Sequence, residues 1–274
     1  MIPRAHVTHW RQRAPWPSDA QVEQDLVLSR ALVELFSDAH IADALAFRGG
    51  TALHKLCFDT PSRYSEDIDL VQCRSGAIGS TLDAIRSRLD PWLGDARTKQ
   101  GEGRATLVYR FDTTTAPIQP MRLKVEINTR EHFAALGVRN VLFSVQSPWF
   151  SGSAKVSTFA IEELLGTKLR ALYQRKKGRD LYDLWVALGT RTIDDAQVVA
   201  CFERYMKHAG HTVSRVEFEA NVRDKLRDPA FLGDMSPLLA SSSAYDPEVA
   251  ANIVVGRLLS RLQDDPLRST RSRS

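Results

Sequence analysis

The most constraining feature of this sequence is a stretch beginning at Ser65, SEDIDLVQ, in which acidic or polar residues alternate with apolar ones. On a β-strand this alternation places Asp67 and Asp69 on one face and Ile68 and Leu70 on the other. The two carboxylates therefore project side by side. Because neighbouring carboxylates repel each other, the pattern predicts a positive charge between them, most simply a divalent cation.

A glycine turn precedes this stretch. The short apolar run ALAF predicts a buried strand that ends at Gly49 and Gly50, and the spacing of apolar residues in TALHKLCF predicts a helix from Thr51. The backbone N–H groups of such a turn, together with the helix dipole and the Thr51 hydroxyl, favour binding of a phosphate. The turn and the carboxylates can hold the same ligand only if the loop between them folds back.

A third acidic residue follows on another predicted strand. In MRLKVEIN, the residues Lys124, Glu126 and Asn128 share one face. Carboxylate oxygens suit Mg²⁺, which also binds the phosphate oxygens of substrates. Asp67, Asp69 and Glu126 therefore predict a site for two Mg²⁺ ions of the kind that performs phosphoryl transfer, with a nucleoside triphosphate as substrate.

The remaining pattern predicts an α/β (α+β) fold with a mixed sheet followed by helices. Ser18 and Gln21 form a capping box before a long helix, and a second capping pattern begins at Ser214. Two helices broken at Gly178 are expected over residues 157–188. The expected organisation is a mixed-sheet domain over residues 1–150, a mainly helical domain over 151–264, and a disordered basic tail over 265–274.

Composition excludes several other classes of protein. No apolar run approaches the roughly 20 residues of a membrane helix, and no signal-like stretch opens the chain, so a cytoplasmic protein without membrane partners is expected. Cys57, Cys73 and Cys201 lack the spacing of a disulfide framework or a zinc site. A net charge of +4 leans slightly towards a polyanionic partner.

Taken in order, these motifs resemble the AbiEii/AbiGii nucleotidyltransferase toxins, relatives of the mycobacterial MenT toxins in the polymerase β superfamily. The pattern is GG-T, R-x-S-x-D-x-D, an acidic strand residue, K-L-x-A-L and R-D-x-x-D, from about Val22 to Trp185. The resemblance implies a polymerase-β-like nucleotidyltransferase domain and a helical domain that contributes to the active site. It also implies a toxin with a cognate antitoxin protein.

The resemblance implies a role for each matching residue. Asp67, Asp69 and Glu126 match the metal-binding carboxylates that serve catalysis. Lys168 matches a lysine that contacts the triphosphate, and Asp183 matches a further acidic residue needed for activity. The nucleotide-binding positions are Gly49, Gly50, Thr51, Ser65 and Lys168.

The residues of the helical half also have plain structural interpretations. Lys168 borders an apolar helix face, from which a lysine commonly extends to solvent. Asp180 lies near a helix start, where its charge is favoured. The choice between Asp180 and Asp183 as the functional acid therefore stays open.

A basic segment follows Lys168 and is a candidate RNA-binding surface. Positive residues at the C-terminus of a helix are also favoured by its dipole, which explains part of the pattern without RNA. If RNA is the acceptor, these side chains would hold its phosphates. The residues are Arg170, Arg175, Lys176, Lys177 and Arg179.

The reaction that the resemblance implies is transfer of a nucleoside monophosphate from the triphosphate to RNA, in particular to the 3′ end of a tRNA, which would block translation. One alternative keeps the chemistry but uses a small molecule or a protein hydroxyl as the acceptor. A second alternative is an RNA-binding module without catalysis.

Overall fold

The computed structural model describes residues 2–114, 116–239 and 244–264 of the chain. The basic tail predicted over residues 265–274 lies outside the described residues. In the part of the chain that is described, no helix combines the length and the apolar character needed to cross a membrane.

The chain divides into two compact units, Met1–Phe159 and Ala160–Ser274. A mixed sheet forms the centre of the first unit. Its strands are β1 (Leu45–Arg48), β2 (Asp67–Gln72), β3 (Arg97–Gly101), β4 (Arg104–Asp112), β5 (Pro120–Asn128), β6 (Val138–Gln146) and β7 (Ser151–Phe159).

The strand order is β3-β4-β5-β2-β1-β7-β6, which places β2 in the middle of the sheet. Strand β2 runs antiparallel to β1 and parallel to β5. Strand β1 runs parallel to β7, and the outer pairs of strands are antiparallel. The predicted α/β fold class, with a mixed sheet, is confirmed.

Helices of the first unit cover the apolar side of this sheet. Helix α2 contacts β2, β5, β6 and β7. Alternate residues of the central strands, including Ile68, Leu70, Val125 and Ile127, are at most 1% exposed. The helices are α1 (Arg4–Trp10), α2 (Asp19–Phe36), α3 (Ala39–Ala44), α4 (Gly49–Ala52) and α5 (Gly79–Leu93), and α4 continues as a π-helical turn over Leu53–Cys57.

The start of α2 has the predicted capping box. The Ser18 hydroxyl accepts a hydrogen bond from the Gln21 backbone N–H at 3.2 Å, and the Gln21 side-chain oxygen accepts one from the Ser18 N–H at 3.2 Å. Two N–H groups that the helix cannot satisfy are thus paired, which fixes the point where α2 begins.

Strand β7 departs from the sequence-based expectation. A helix was expected from residue 157, but the strand continues to Phe159 and the helix begins only at Ile161. Small and polar residues weaken the alternation in SGSAKVSTF, although Ala154 and Val156 are buried. The first unit therefore extends past residue 150, where the domain boundary was expected.

The second unit is helical in its described part. Helix α6 packs closely on α8, and Gly166 allows this approach, since a Cβ at Gly166 would lie 2.6 Å from the Cys201 Cβ. The Ser214 hydroxyl accepts from the Glu217 N–H at 3.2 Å, as the capping pattern predicts. The helices are α6 (Ile161–Gln174), α7 (Gly178–Thr190), α8 (Asp195–His208), α9 (Arg215–Lys225), α10 (Pro229–Gly233) and α11 (Pro247–Arg257).

Candidate active site

Three carboxylates meet on the side of the sheet opposite the apolar core. The parallel register of β2 and β5 pairs Asp69 with Glu126 and Asp67 with Lys124. Paired residues on adjacent strands point to the same face, so the alternation of each strand brings Asp67, Asp69 and Glu126 together. The side chains of Asp67 and Glu126 are 29% and 30% exposed, which leaves them open to a ligand.

Lys124 supplies the positive charge between these carboxylates in the structure. Its Nζ lies 3.0 Å from Asp67 Oδ2 and 3.5 Å from Glu126 Oε2. Burial lowers the pKa of Lys124, but the hydrogen bond that its ammonium donates to Asp67 and the nearby acidic charges outweigh burial and raise the pKa above its ordinary value. The sequence placed Lys124 on this face, but only the strand register reveals that it contacts Asp67.

Asp69 lies deeper in the cluster. Burial, followed by the charge of Asp67, raises the pKa of Asp69 above its ordinary value, and Arg48 opposes the rise. Arg48 is paired with Asp69 across β1 and β2, and its guanidinium donates to Glu131 at 2.7 Å. Added cationic charge at Asp69 would relieve the repulsion, which suits a divalent ion.

The glycine turn lies directly against Asp69. Gly49 has a φ of +80°, in the left-handed region, and a Cβ at this position would lie 2.5 Å from Asp69 Oδ2. Helix α4 starts at Gly49, not at Thr51 as expected, so its first N–H groups belong to the glycines. The turn and the carboxylates are therefore in contact, as a common ligand requires.

We expect Gly49→Ala to lower the nucleotidyl transfer that the resemblance implies at least about tenfold. We also expect it to destabilise the protein by about 1–3 kcal/mol, because a left-handed non-glycine residue is strained and the methyl group displaces Asp69. The measurements are transfer of labelled nucleotide and thermal unfolding. Gly79→Ala is the matched control, since a Cβ at Gly79 meets no atom within 4 Å. Equal behaviour of the two variants would contradict the close approach.

Thr51 and Ser65 show how the intervening loop folds back. The Thr51 hydroxyl donates to the Asp67 carbonyl at 2.6 Å and therefore accepts from the Ser65 hydroxyl at 2.7 Å. Thr51 is 1% exposed, so its hydroxyl joins the glycine turn to β2 in this structure. A phosphate contact from Thr51 or Ser65 remains a prediction.

A cavity of about 400 Å³ adjoins this hydroxyl pair and includes residues that the sequence did not indicate. Thr51, Ser65, Lys55 and Arg63 all line it. The Lys55 ammonium donates to the buried Asp25 carboxylate at 2.7 Å. Arg63 belongs to the R-x-S-x-D-x-D pattern, which is the one sequence signal that could have identified it.

In the second unit, Lys168, Asp180 and Asp183 form a buried ion cluster. Lys168 Nζ lies 2.9 Å from Asp180 Oδ1 and 3.0 Å from Asp183 Oδ2, and the lysine side chain is only 6% exposed. Arg175 adds two hydrogen bonds to Asp180 at 2.6 and 2.8 Å. Burial raises the pKa of Asp180, but Lys168 and Arg175 outweigh it and hold the pKa below its ordinary value. Lys168 thus lies in a buried ion pair and does not extend to solvent.

The basic segment is partly neutralised by carboxylates of its own unit. Arg175 pairs with Asp180, Lys176 Nζ lies 3.2 Å from Asp228, and Lys177 Nζ lies 3.5 Å from Asp234. The Arg179 backbone N–H also bonds Asp234. The Arg170 guanidinium lies 5.0 Å from the centre of the Tyr205 ring. The ion pairs of Arg175, Lys176 and Lys177 reduce the net positive charge available to an RNA partner.

The donor chemistry of the first unit fits a hard divalent cation. Across the described residues, no three His, Cys, Asp or Glu side chains are already arranged as a metal-binding group. The side-chain oxygens of Asp67, Asp69 and Glu126 are nevertheless of the type that Mg²⁺ prefers. Lys124 lies between two of these carboxylates, so a metal ion would have to replace its ammonium.

Comparison with solved structures identifies the fold. The chain is similar to MenT4, a nucleotidyltransferase toxin from Mycobacterium tuberculosis, with a TM-score of 0.72 and 22% identity, over 98% of this chain and 93% of that one. It is also similar to a protein from H. pylori assigned as a nucleotidyltransferase, with a TM-score of 0.53 and 21% identity, over 88% and 93% of the two chains. The fold is therefore that of a nucleotidyltransferase.

The family model described as "Nucleotidyl transferase AbiEii toxin, Type IV TA system" matches residues 30–251. The chain thus belongs to the AbiEii family of nucleotidyltransferase toxins from type IV toxin–antitoxin systems, and the resemblance noted in the sequence is confirmed. It is a nucleotidyltransferase enzyme, and its family implies a nucleoside triphosphate substrate and an antitoxin partner. No curated protein matches the chain significantly in sequence.

Proposed function

We propose that this toxin uses divalent metal ions to transfer a nucleoside monophosphate to RNA, specifically to the 3′ end of a tRNA, and thereby blocks translation in the cytoplasm. The single observation that supports the chemistry is the contact of the glycine turn with the carboxylate cluster. A Cβ at Gly49 would meet Asp69 at 2.5 Å, and Asp69 is paired with Glu126 across adjacent strands.

Asp67, Asp69 and Glu126 would hold these ions, which we propose are two Mg²⁺ ions. Bound there, the ions would neutralise the carboxylates and stabilise charge on the attacking and leaving oxygens. The N–H groups of Gly49 and Gly50 would bind the phosphates beside Asp69. Thr51 and Ser65 are proposed to contact the phosphates as well, and their mutual hydrogen bond would support the turn.

The proposed reaction is a nucleophilic displacement at the α-phosphorus of the nucleoside triphosphate. The acceptor hydroxyl oxygen forms a bond to this phosphorus as the bond to the bridging oxygen breaks, and pyrophosphate leaves with the electron pair. The hydroxyl proton passes to solvent by way of a carboxylate at the site, and Asp67 and Glu126 are both partly exposed. Asp69 lies against the glycine turn and would hold a metal ion beside the phosphates that the turn binds.

Lys168 and Asp183 are proposed to act in the same reaction, Lys168 by contacting the triphosphate and Asp183 as a further acid. Both lie in the buried cluster with Asp180, so the role of Lys168 requires its ammonium to exchange a carboxylate for a phosphate. Arg170, Arg175, Lys176, Lys177 and Arg179 are proposed to contact the RNA backbone. Because each such contact to a phosphate releases counterions from the RNA, we expect this binding to weaken steeply as salt increases.

The test is incubation of the purified protein with Mg²⁺ and each of four α-labelled nucleoside triphosphates, with total tRNA, small hydroxyl compounds or protein as acceptors. We expect label on tRNA, loss of that label on chelation of the metal, and preference for particular nucleotides. Label only on a small molecule or on protein would overturn the RNA acceptor but retain the chemistry. RNA binding without transfer of label to any acceptor would support a noncatalytic module.

A further inference from the structure

Lys124 lies among the carboxylates of Asp67, Asp69 and Glu126, but neither the sequence pattern nor the family resemblance gives it a role. Its ammonium bridges Asp67 on β2, at 3.0 Å, and Glu126 on its own strand, at 3.5 Å. The lysine side chain is 28% exposed, so it lies at the entrance to the cluster and can leave without opening the core. A flexible four-carbon stem allows the ammonium to change partners at little cost.

The surroundings of Lys124 limit where its charge can go. Along β5 its neighbours on the same face are Arg122 and Glu126, and across to β4 it is paired with Val108. Of these neighbours, only Glu126 can balance an ammonium, together with Asp67 and Asp69 on β2. A divalent ion bound to the same carboxylates would repel the ammonium and take over its partners.

A displaced Lys124 ammonium would be left beside the metal ions and the α-phosphate of a bound nucleotide. The phosphate oxygens are then the available negative charges next to the metal-neutralised carboxylates. Movement of this one side chain would therefore change the partners of its ammonium from carboxylates in the empty site to phosphate oxygens in the loaded site. No rearrangement of the backbone is required.

We propose that Lys124 is an internal counter-ion that holds the place of the divalent cation in the empty site and turns to the nucleotide phosphates when metal and nucleotide bind. The inference rests on the proposed metal-dependent function, and it adds a residue outside the motifs that define the site. It makes Lys124 a competitor of the metal and a partner of the nucleotide. A purely structural lysine would not have these two opposite effects.

The test measures Mn²⁺ binding and nucleotide binding separately in the full-length protein. Titration with Mn²⁺ alone should show about tenfold tighter binding to Lys124→Met than to the wild type, because the competing charge is gone. With saturating metal, the KM for the nucleoside triphosphate should rise about tenfold in the same variant, since a charged phosphate contact is lost. Lys124→Arg keeps the charge and should restore wild-type Mn²⁺ affinity. Lys155→Met, an exposed lysine on β7, is the matched control and should behave as the wild type.

Opposite shifts in the two affinities support the inference. Unchanged or weaker Mn²⁺ binding to Lys124→Met overturns the inference. The proposed function still stands in that case if the wild-type protein binds Mn²⁺ and transfers nucleotide. Failure of every variant and the wild type to bind Mn²⁺ overturns both. If Lys124→Met does not fold, Lys124→Gln is measured in its place, because its amide can still bond the carboxylates without a charge.

Discussion

Asp69→Asn is expected to lower nucleotidyl transfer by at least about a hundredfold, the order of loss when one preorganised electrostatic group is removed. The substitution keeps the size of the side chain but removes the charge that would hold a metal ion beside the glycine turn. The measurement is incorporation of labelled nucleotide into acceptor, together with growth of cells that express the variant. RNA binding should largely survive, because the substitution removes an acidic side chain and none of the basic side chains proposed to contact RNA.

The folded state of Asp69→Asn should be at least as stable as that of the wild type. Burial and the charge of Asp67 raise the pKa of Asp69, so ionised Asp69 is disfavoured in the protein and a neutral amide removes the repulsion. Thermal unfolding without added metal checks this. Asp83→Asn on α5 is the control, since Asp83 is 77% exposed and lies outside the site. Full activity in Asp69→Asn would contradict a catalytic function for the cluster.

The central part of the candidate site follows from short-range pattern. Alternation alone placed Asp67 and Asp69 on one face, and the glycines marked the point where β1 ends and a helix follows, although α4 begins at Gly49 itself. Both predictions concern neighbours in sequence, where the period of a strand or the stereochemistry of glycine decides the outcome. The family resemblance then assigned roles that spacing alone left open.

Contacts between distant segments could not be predicted in the same way. The ion pair of Lys124 with Asp67 depends on the parallel pairing of β2 with β5, which the sequence of neither strand specifies. Strand β7 was missed since its alternation is carried by small and polar residues, and its partners β1 and β6 decide its conformation. Tertiary pairing therefore supplied what the local pattern lacked.

The ion cluster of the second unit is another contact between distant segments that sequence pattern could not predict, in this case between two helices. A lysine beside an apolar stripe is expected to reach solvent, but Lys168 instead meets Asp180 and Asp183 from helix α7. The spacing of the acids one turn apart on α7 was visible in the sequence. Their distance from Lys168 depends on how α6 packs against α7, which only the folded unit determines.

Lys168→Met is expected to destabilise the protein by about 3–5 kcal/mol, because the lysine offsets the charge of two buried carboxylates, Asp180 and Asp183. Asp180 would retain Arg175, so the loss falls mainly on Asp183, whose side chain is 0% exposed. Urea unfolding, followed by circular dichroism, measures the change. Lys155→Met is the control for loss of an exposed lysine and should change stability by less than about 0.5 kcal/mol.

The double variant Lys168→Met/Asp183→Asn separates the structural role of this cluster from its proposed role with the triphosphate. It removes one positive and one negative charge while Asp180 keeps Arg175, so most of the lost stability should return. A double variant that is stable but does not transfer nucleotide is expected, because folding would be restored without the phosphate contact. A stable and fully active double variant would show that Lys168 and Asp183 serve the fold alone, and would confine the chemistry to the carboxylates beside the glycine turn.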